Sequence, residues 1–281
     1  MELPKDYISN VVRGALSEDI GEGDITTNSI VPSGIKVRGE FLAKSNGVIC
    51  GLSFAETAFR VLDENIKFIP NINDGDNVTV GHIIATVEGE ARAILSAERT
   101  ALNFLTHLSG IATLTRKFVD AISGTKTKIL DTRKTTPLLR LAEKYATYCG
   151  GAQNHRIGLY DMILVKDNHI AIAGGIKNTL DKIYSSGKPK VPVEVEVTDL
   201  KQLEIALLYP VDRIMLDNFS VEKVREAIKL RDKLGKSVPF ECSGGITLEN
   251  IRAYAETGVE YISIGAITHS AQALDISLEI S

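Results

Sequence analysis

The chain is 281 residues long and 44% apolar, enough to bury one large core or two smaller ones. Its formal charge of -4 excludes the broad Lys/Arg excess that a nucleic-acid or anionic-membrane surface requires. The charge is uneven: Lys128 to Ile170 holds seven Lys or Arg against four Asp or Glu, an excess of +3 that marks a candidate anion site.

The three cysteines, Cys50, Cys149 and Cys242, are far apart and lack C-x-x-C spacing, so neither a disulfide framework nor a zinc cluster is indicated. Reduced thiols in a cytoplasmic protein are the expectation. The opening MELPKDYISNVVRGAL contains acidic residues and has no long apolar core. No later run approaches the roughly 20 apolar residues of a membrane span, so no export signal and no membrane partner are expected.

In chain order, Asp6 to Ser17 reads as a helix and EDIGEGDITT as a loop. A helix is predicted over Ser53 to Leu62, with strands around KVRGEFLAKS and HIIATVEG and a turn at NDGDNV. These pieces make a small α+β domain. A helix follows from Ala91 to Leu108, with Ile94, Ala97, Ala101, Leu102 and Leu105 on one face and Arg99 on another.

After about Thr125 the rhythm changes. The runs TKIL, MILV, VPVEVEV, RIMLD, VPFEC and YISIG recur as short strands, most of them separated by amphipathic stretches such as Leu138–Tyr148, Leu200–Leu208, Val221–Leu234 and Leu248–Thr257. Alternating β and α units imply a parallel sheet flanked by helices, and their number favours a barrel over a doubly wound sheet. Neither G-x-G-x-x-G nor a P-loop motif is present. Glycine-rich strand ends come last, in ECSGGITLEN and SIGAITHS, where barrels often bind phosphate; Ser243, Gly244, Gly245 and Gly265 are the candidate cup.

In a parallel barrel the carboxyl ends of all strands face one mouth. Thr132, Arg133 and Lys134 follow the first run, Lys166 the second, Glu196 lies near the end of the third and Asp217 ends the fourth, with His155 and Arg156 arriving before the second. Taken singly, these are ordinary: a solvated lysine, a structural histidine, an aspartate Asp131 that pairs with Arg133 or caps a helix. VPVEVEV is more pointed, since alternation puts Glu194 and Glu196 on one strand face, where burial demands cationic partners. Converging cations suit a substrate bearing phosphates or carboxylates. The sparse pair Glu196 and Asp217 suits ribose hydroxyls or a magnesium ion that keeps most of its waters. A lyase using Lys134 or Lys166 as a Schiff-base nucleophile is the competing chemistry.

DTRKTTPLLRLAEKYA, NHRIGLYDMILVKDNHI, EVEV, MLDNF, ECSGGI and YISIGAITHS, in this order and after GDITT, resemble the quinolinate phosphoribosyltransferase family across nearly the whole chain. The resemblance implies an N-terminal α/β sandwich domain over 1–110, an irregular, incomplete (β/α) barrel over 111–267, and a C-terminal helix over 268–281 packed on the first domain. It implies a homodimer or larger assembly with shared active sites, Arg99 of SAERTALNF being lent to the neighbouring subunit. Arg133, His155, Arg156 and Lys166 would hold quinolinate carboxylates, with Lys134 and Lys166 near phosphoribosyl pyrophosphate. Glu196 and Asp217 would contact ribose or Mg2+, directly or through water, and Thr132, Ser243, Gly244, Gly245, Gly265 and His269 would line the phosphate side. Lys134, Lys166, Glu196 and Asp217 are the candidate catalytic residues. Leu138 and Ala152 stand where the family usually has glycine, which bears on loop shape rather than on chemistry.

Overall fold

The computed structural model describes residues 1–280. The chain divides into two compact units: Met1–Arg116, Thr135–Gly151 and Ala266–Ser281 form the first, and Lys117–Lys134 with Ala152–Gly265 the second.

In the first unit, helix Lys5–Ile20 buries Ile8, Val12 and Leu16, one apolar residue per turn. EDIGEGDITT is not wholly loop, because Asp24 accepts the Thr27 amide at 2.9 Å and starts a short helix, Ile25–Ile30. Strands β1 (Lys36–Ala43), β2 (Gly47–Val48), β3 (Lys67–Pro70), β4 (Asn77–Val78) and β5 (Ile83–Glu90) follow, with helix Leu52–Leu62 between β2 and β3. The antiparallel sheet runs C-terminal strand, β1, β5, β3. Its inner face is apolar: the Phe41 ring lies 5.9 Å from both Phe59 and Phe68.

The segment 268–281, expected as a helix, is a strand over Ile276–Ile280, antiparallel to β1 with Gly39 opposite Ile280. The run ISLEI alternates with period two, and the open edge of β1 supplies the hydrogen bonds that a five-residue helix could not. Among the described residues of that segment the only helical piece is the end of Ala266–His269.

Helix Ala91–Ala121 extends 13 residues beyond the predicted end at Leu108. Within it Gly110 passes so close to the Gln272 carbonyl that a β-carbon would collide with backbone.

The second unit is built on six parallel strands: β6 (Lys128–Leu130), β7 (Ile163–Val165), β8 (Val193–Val197), β9 (Arg213–Asp217), β10 (Phe240–Ser243) and β11 (Tyr261–Ser263). Their spatial order is β6-β11-β10-β9-β8-β7. All six predicted runs are strands. Helices Leu200–Ala206, Val221–Lys233 and Ile251–Ala255 connect them, and two helices not foreseen, Asp167–Ala173 and Ile176–Tyr184, lie between β7 and β8. Among the described residues β6 and β7 do not pair with each other, so the barrel is incomplete. All five residues of β8 are buried, which sets the valines on one face and Glu194 and Glu196 on the other. No helix among the described residues is long and apolar enough to cross a membrane.

Candidate active site

Because the six strands are parallel, their carboxyl ends lie along one edge. Lys166 follows β7, Glu196 is the penultimate residue of β8, Asp217 ends β9 and Ser243 ends β10. Gly265 lies two residues beyond β11, and Thr132, Arg133 and Lys134 lie just beyond β6. The register sets Ser243 level with Asp217 and Glu196 level with Met215.

At the β7 and β8 ends, Lys166 Nζ is 3.5 Å from Glu196 Oε2. Burial raises the Glu196 pKa, Lys166 opposes the rise, and the nearby Asp217 carboxylate adds to it. A carboxylate whose charge is disfavoured by burial and by a second carboxylate nearby fits a hard cation with oxygen ligands, and equally fits hydroxyl donors. Magnesium is therefore compatible with this pair.

The Ser243–Gly245 turn demands glycine at its centre. Gly244 has φ of +93° and a β-carbon there would strike the side chain of Asn218, itself at φ +54°. At the other end of the sheet, Lys134 donates its amide to the Thr132 hydroxyl at 3.0 Å and leaves its side chain exposed.

His155 and Arg156 reach this edge by a route that periodicity did not show. Gln153 bridges Leu130 in parallel, so the chain runs briefly beside β6 like a further strand. Asp131, fully buried, then accepts the His155 amide at 2.8 Å and the Asn154 side-chain amide at 2.6 Å. Asp131 thus holds the loop rather than capping a helix. Asp161 takes the amides of Ile157 and Gly158 at 2.7 and 3.0 Å, and Arg156 donates to the Met162 carbonyl at 3.0 Å. Arg156 is 9% exposed; burial and then the like charge of Arg133 pull its pKa below the ordinary value, while Asp161 and Glu194 oppose.

Beneath the strand ends lies a cluster that the sequence only half disclosed. His155 Nε2 is 3.0 Å from Glu194 and 3.5 Å from Glu241, and Arg213 is 2.9 Å from Glu241 and 3.7 Å from Glu194. Glu194 was visible in EVEV, but Glu241 and Arg213 were not singled out; the signal was there in their period-two spacing from Ser243 and Asp217. Burial alone would lower the His155 pKa, and the Glu194 and Glu241 carboxylates more than reverse this, while the Arg156 amide that Nδ1 accepts resists a second proton. Burial and the neighbouring Glu241 push Glu194 up to about 7.

Arg99 and His269 belong to the first unit. Arg99 is exposed on helix Ala91–Ala121, and His269 is exposed with Nδ1 2.7 Å from the Ser270 hydroxyl.

The sequence matches two family models end to end: the N-terminal domain of quinolinate phosphoribosyl transferase over residues 24–109 and its C-terminal domain over 111–279. The chain belongs to the quinolinate phosphoribosyltransferase family. It is 44% identical to the carboxylating nicotinate-nucleotide pyrophosphorylase of Mycobacterium leprae over 98% of both chains. It is 41% identical to the decarboxylating quinolinate phosphoribosyltransferase 1b of Nicotiana tabacum, over 99% of this chain and 83% of the relative. The structure of the nicotinate-nucleotide pyrophosphorylase from Francisella tularensis superposes with a TM-score of 0.94 at 44% identity, covering 100% of this chain and 98% of that one. The quinolinate phosphoribosyltransferase family fold is the incomplete barrel with a small antiparallel-sheet domain described above.

Proposed function

We propose that the protein transfers the phosphoribosyl group of phosphoribosyl pyrophosphate to the ring nitrogen of quinolinate, with loss of carbon dioxide, giving nicotinate mononucleotide and pyrophosphate for NAD biosynthesis. The enzyme is a pentosyltransferase, as its full-length relatives are named. The observation that carries the reading is the single edge on which Arg133, Lys134 and Lys166 gather at strand ends beside Glu196, Asp217 and the Ser243–Gly245 turn. Such an edge matches a pyridine dicarboxylate lying next to a sugar pyrophosphate. A Schiff-base lyase would need a desolvated lysine, whereas Lys134 and Lys166 are both exposed.

Arg133 and Arg156 clamp the ring carboxylates, since a guanidinium grips a carboxylate through parallel hydrogen bonds. The ring nitrogen is thereby aimed at the anomeric carbon. As the ribosyl–oxygen bond breaks, Lys134 and Lys166 stabilise the charge growing on the departing pyrophosphate. Glu196 and Asp217 bind the ribose hydroxyls, and the same two carboxylates would hold magnesium directly or through water. Magnesium, when bound, supplies charge neutralisation of the pyrophosphate. The glycine turn, Gly265 and Thr132 receive phosphate oxygens. Once ribosylated, the pyridinium nitrogen stabilises the carbanion left at the adjacent carbon by decarboxylation, so the substrate acts as its own electron sink.

A homodimer with Arg99 completing the neighbouring subunit's site is part of this reading. Its support is an apolar hollow of about 540 Å³ beside β7, lined by Leu159, Met162, Ile163, Ile172 and Ile183. Leu159, Tyr160 and Ile172 are 74, 77 and 88% exposed, an arrangement suited to burial by a second copy. Cytoplasmic location accords with free thiols at Cys50 and Cys242, which are buried, and at Cys149, which is partly exposed.

The test is a turnover assay with quinolinate, phosphoribosyl pyrophosphate and magnesium, run beside nicotinate. Carbon dioxide release from quinolinate, matched by pyrophosphate, is expected. Consumption of nicotinate in preference, or no pyrophosphate at all, overturns the assignment.

A further inference from the structure

The buried cluster under the strand ends needs a purpose. Two fully buried carboxylates, Glu194 and Glu241, lie in an interior whose mouth is proposed to receive an anionic substrate, and removing such charges from water is costly unless they are matched. Arg213 matches one and is itself backed by the Tyr261 ring, 4.3 Å from the guanidinium carbon. The trio His155, Glu194 and Glu241 has the composition of a metal site. However, Arg213 stands 2.9 Å from Glu241 and 3.7 Å from Glu194, where its charge already does what an ion would. The carboxylates are therefore partners of the Arg213 guanidinium and the His155 ring.

The imidazole is engaged at both nitrogens. Nε2 faces the Glu194 and Glu241 carboxylates, at 3.0 and 3.5 Å, and Nδ1 accepts the backbone amide of Arg156 at 2.7 Å. Ionised carboxylates only accept and an amide N–H only donates, so these neighbours select the tautomer with hydrogen on Nε2 and a lone pair on Nδ1. A second proton, on Nδ1, would meet the Arg156 hydrogen head on, which opposes the carboxylates' upward pull on the imidazole pKa. Arg156 is fixed at two further points, through the Asp131 bond to the preceding amide and through the Met162 carbonyl. Its buried Nε keeps no hydrogen-bond partner.

We infer that His155 is a positioning residue for Arg156 rather than a substrate ligand: Glu194, Glu241 and Arg213 clamp its Nε2 side, and its Nδ1 holds the Arg156 main chain so that the guanidinium meets the anionic substrate in one pose. This deepens the proposed activity and rests on it. The substrate carboxylate then contacts Arg156, and the acidic pair below acts only through the ring.

Two substitutions separate the two sides of the imidazole. In His155→Asn the side-chain oxygen falls near the Nδ1 position and keeps the Arg156 bond, but abandons the carboxylates. His155→Gln reaches toward the carboxylates and abandons the Arg156 amide. The expected pattern is crossed. His155→Asn lowers Tm more, and His155→Gln raises the KM for quinolinate more, by about fivefold or greater over the Asn variant, with the KM for phosphoribosyl pyrophosphate moving far less. Nitrogen-15 spectra of the wild-type imidazole, independent of how the variants fold, should show Nε2–H and an unprotonated Nδ1 near neutral pH. Equal effects of the two substitutions on quinolinate KM, or a wild-type ring carrying hydrogen on both nitrogens, overturn the positioning role. Wild-type turnover is read first: if quinolinate is not consumed, the activity itself fails, whereas normal wild-type turnover with equal variant losses removes the positioning role alone.

Discussion

Lys166 Nζ lies 3.5 Å from Glu196 Oε2, with the lysine side chain 48% exposed and the glutamate 9%. The lysine head thus stays available to a substrate while its charge shelters a carboxylate that burial would otherwise neutralise. Lys166→Ala should lower kcat/KM by about 100-fold or more, the scale of losing one preorganised charge at a reacting centre. Its Tm should barely move, because a half-exposed ion pair contributes only about 0–1 kcal/mol. Steady-state kinetics alongside thermal melts check both halves.

Glu196→Gln and Asp217→Asn should each raise the magnesium concentration needed for half-maximal activity, and raise the KM for the sugar donor more than that for quinolinate. Titrating magnesium against initial rate measures this. Unchanged magnesium dependence in both variants would remove these residues from the proposed metal role.

Arg99→Ala subunits mixed with Lys166→Ala subunits should regain part of the lost activity in mixed dimers. Recovery requires each defective chain to complete the other's site, so inactivity of verified mixed dimers counts against the shared arrangement.

Asp161 secures the loop after Arg156. Although burial raises its pKa, the Ile157 and Gly158 amides and Arg156 together hold it below the ordinary value. A lowered folded pKa means that the native state releases its proton more readily than the unfolded chain. The resulting stability is present above the unfolded pKa and is lost as pH falls through the folded one. Asp161→Asn should therefore cost about 1 kcal/mol at neutral pH, the worth of one hydrogen bond, and the deficit should shrink under acid conditions. Urea titrations at several pH values check the sign.

Thiol labelling should find Cys149 first. Its hydrogen bond with Cys50 leads the causes that hold its pKa below the ordinary value, and it is partly exposed. Burial raises Cys50 well above the ordinary value and pushes Cys242 up to about 12. Mass spectrometry after brief alkylation at neutral pH should place the label on Cys149, with Cys50 and Cys242 modified only after unfolding.

Much of the second unit was readable because its strands are short, rich in β-branched residues and mostly separated by amphipathic helical stretches, a pattern that fits a buried parallel sheet. The strand-end placement of Lys166, Glu196 and Asp217 followed from that alone. The bridge at Gln153 was not readable, since GGAQNHR carries no apolar period; it exists because, far earlier in the sequence, the Ile129 carbonyl accepts the Gln153 amide and the Asp131 amide donates to the Gln153 carbonyl. Glu241 and Arg213 were overlooked for a related reason: at the start of a strand, a charged residue looks like a solvated terminus until its neighbours are known. Leu138, noted as a departure from glycine, proves to sit at φ +68° and 88% exposed. Its backbone thus adopts the left-handed conformation that glycine takes without strain.

In each of the two larger sheets an edge strand pairs with one from far along the chain. β6 pairs with β11, setting Lys128 beside Tyr261, and β1 pairs with the C-terminal strand, setting Gly39 opposite Ile280. A nascent chain leaving the ribosome therefore holds neither sheet complete until those distant strands have emerged, so assembly waits on long loop closures and is slow for its size. Through that interval the unpaired edges of β1 and β6 stay open to other chains, which makes release from synthesis, rather than the finished fold, the stage most vulnerable to aggregation.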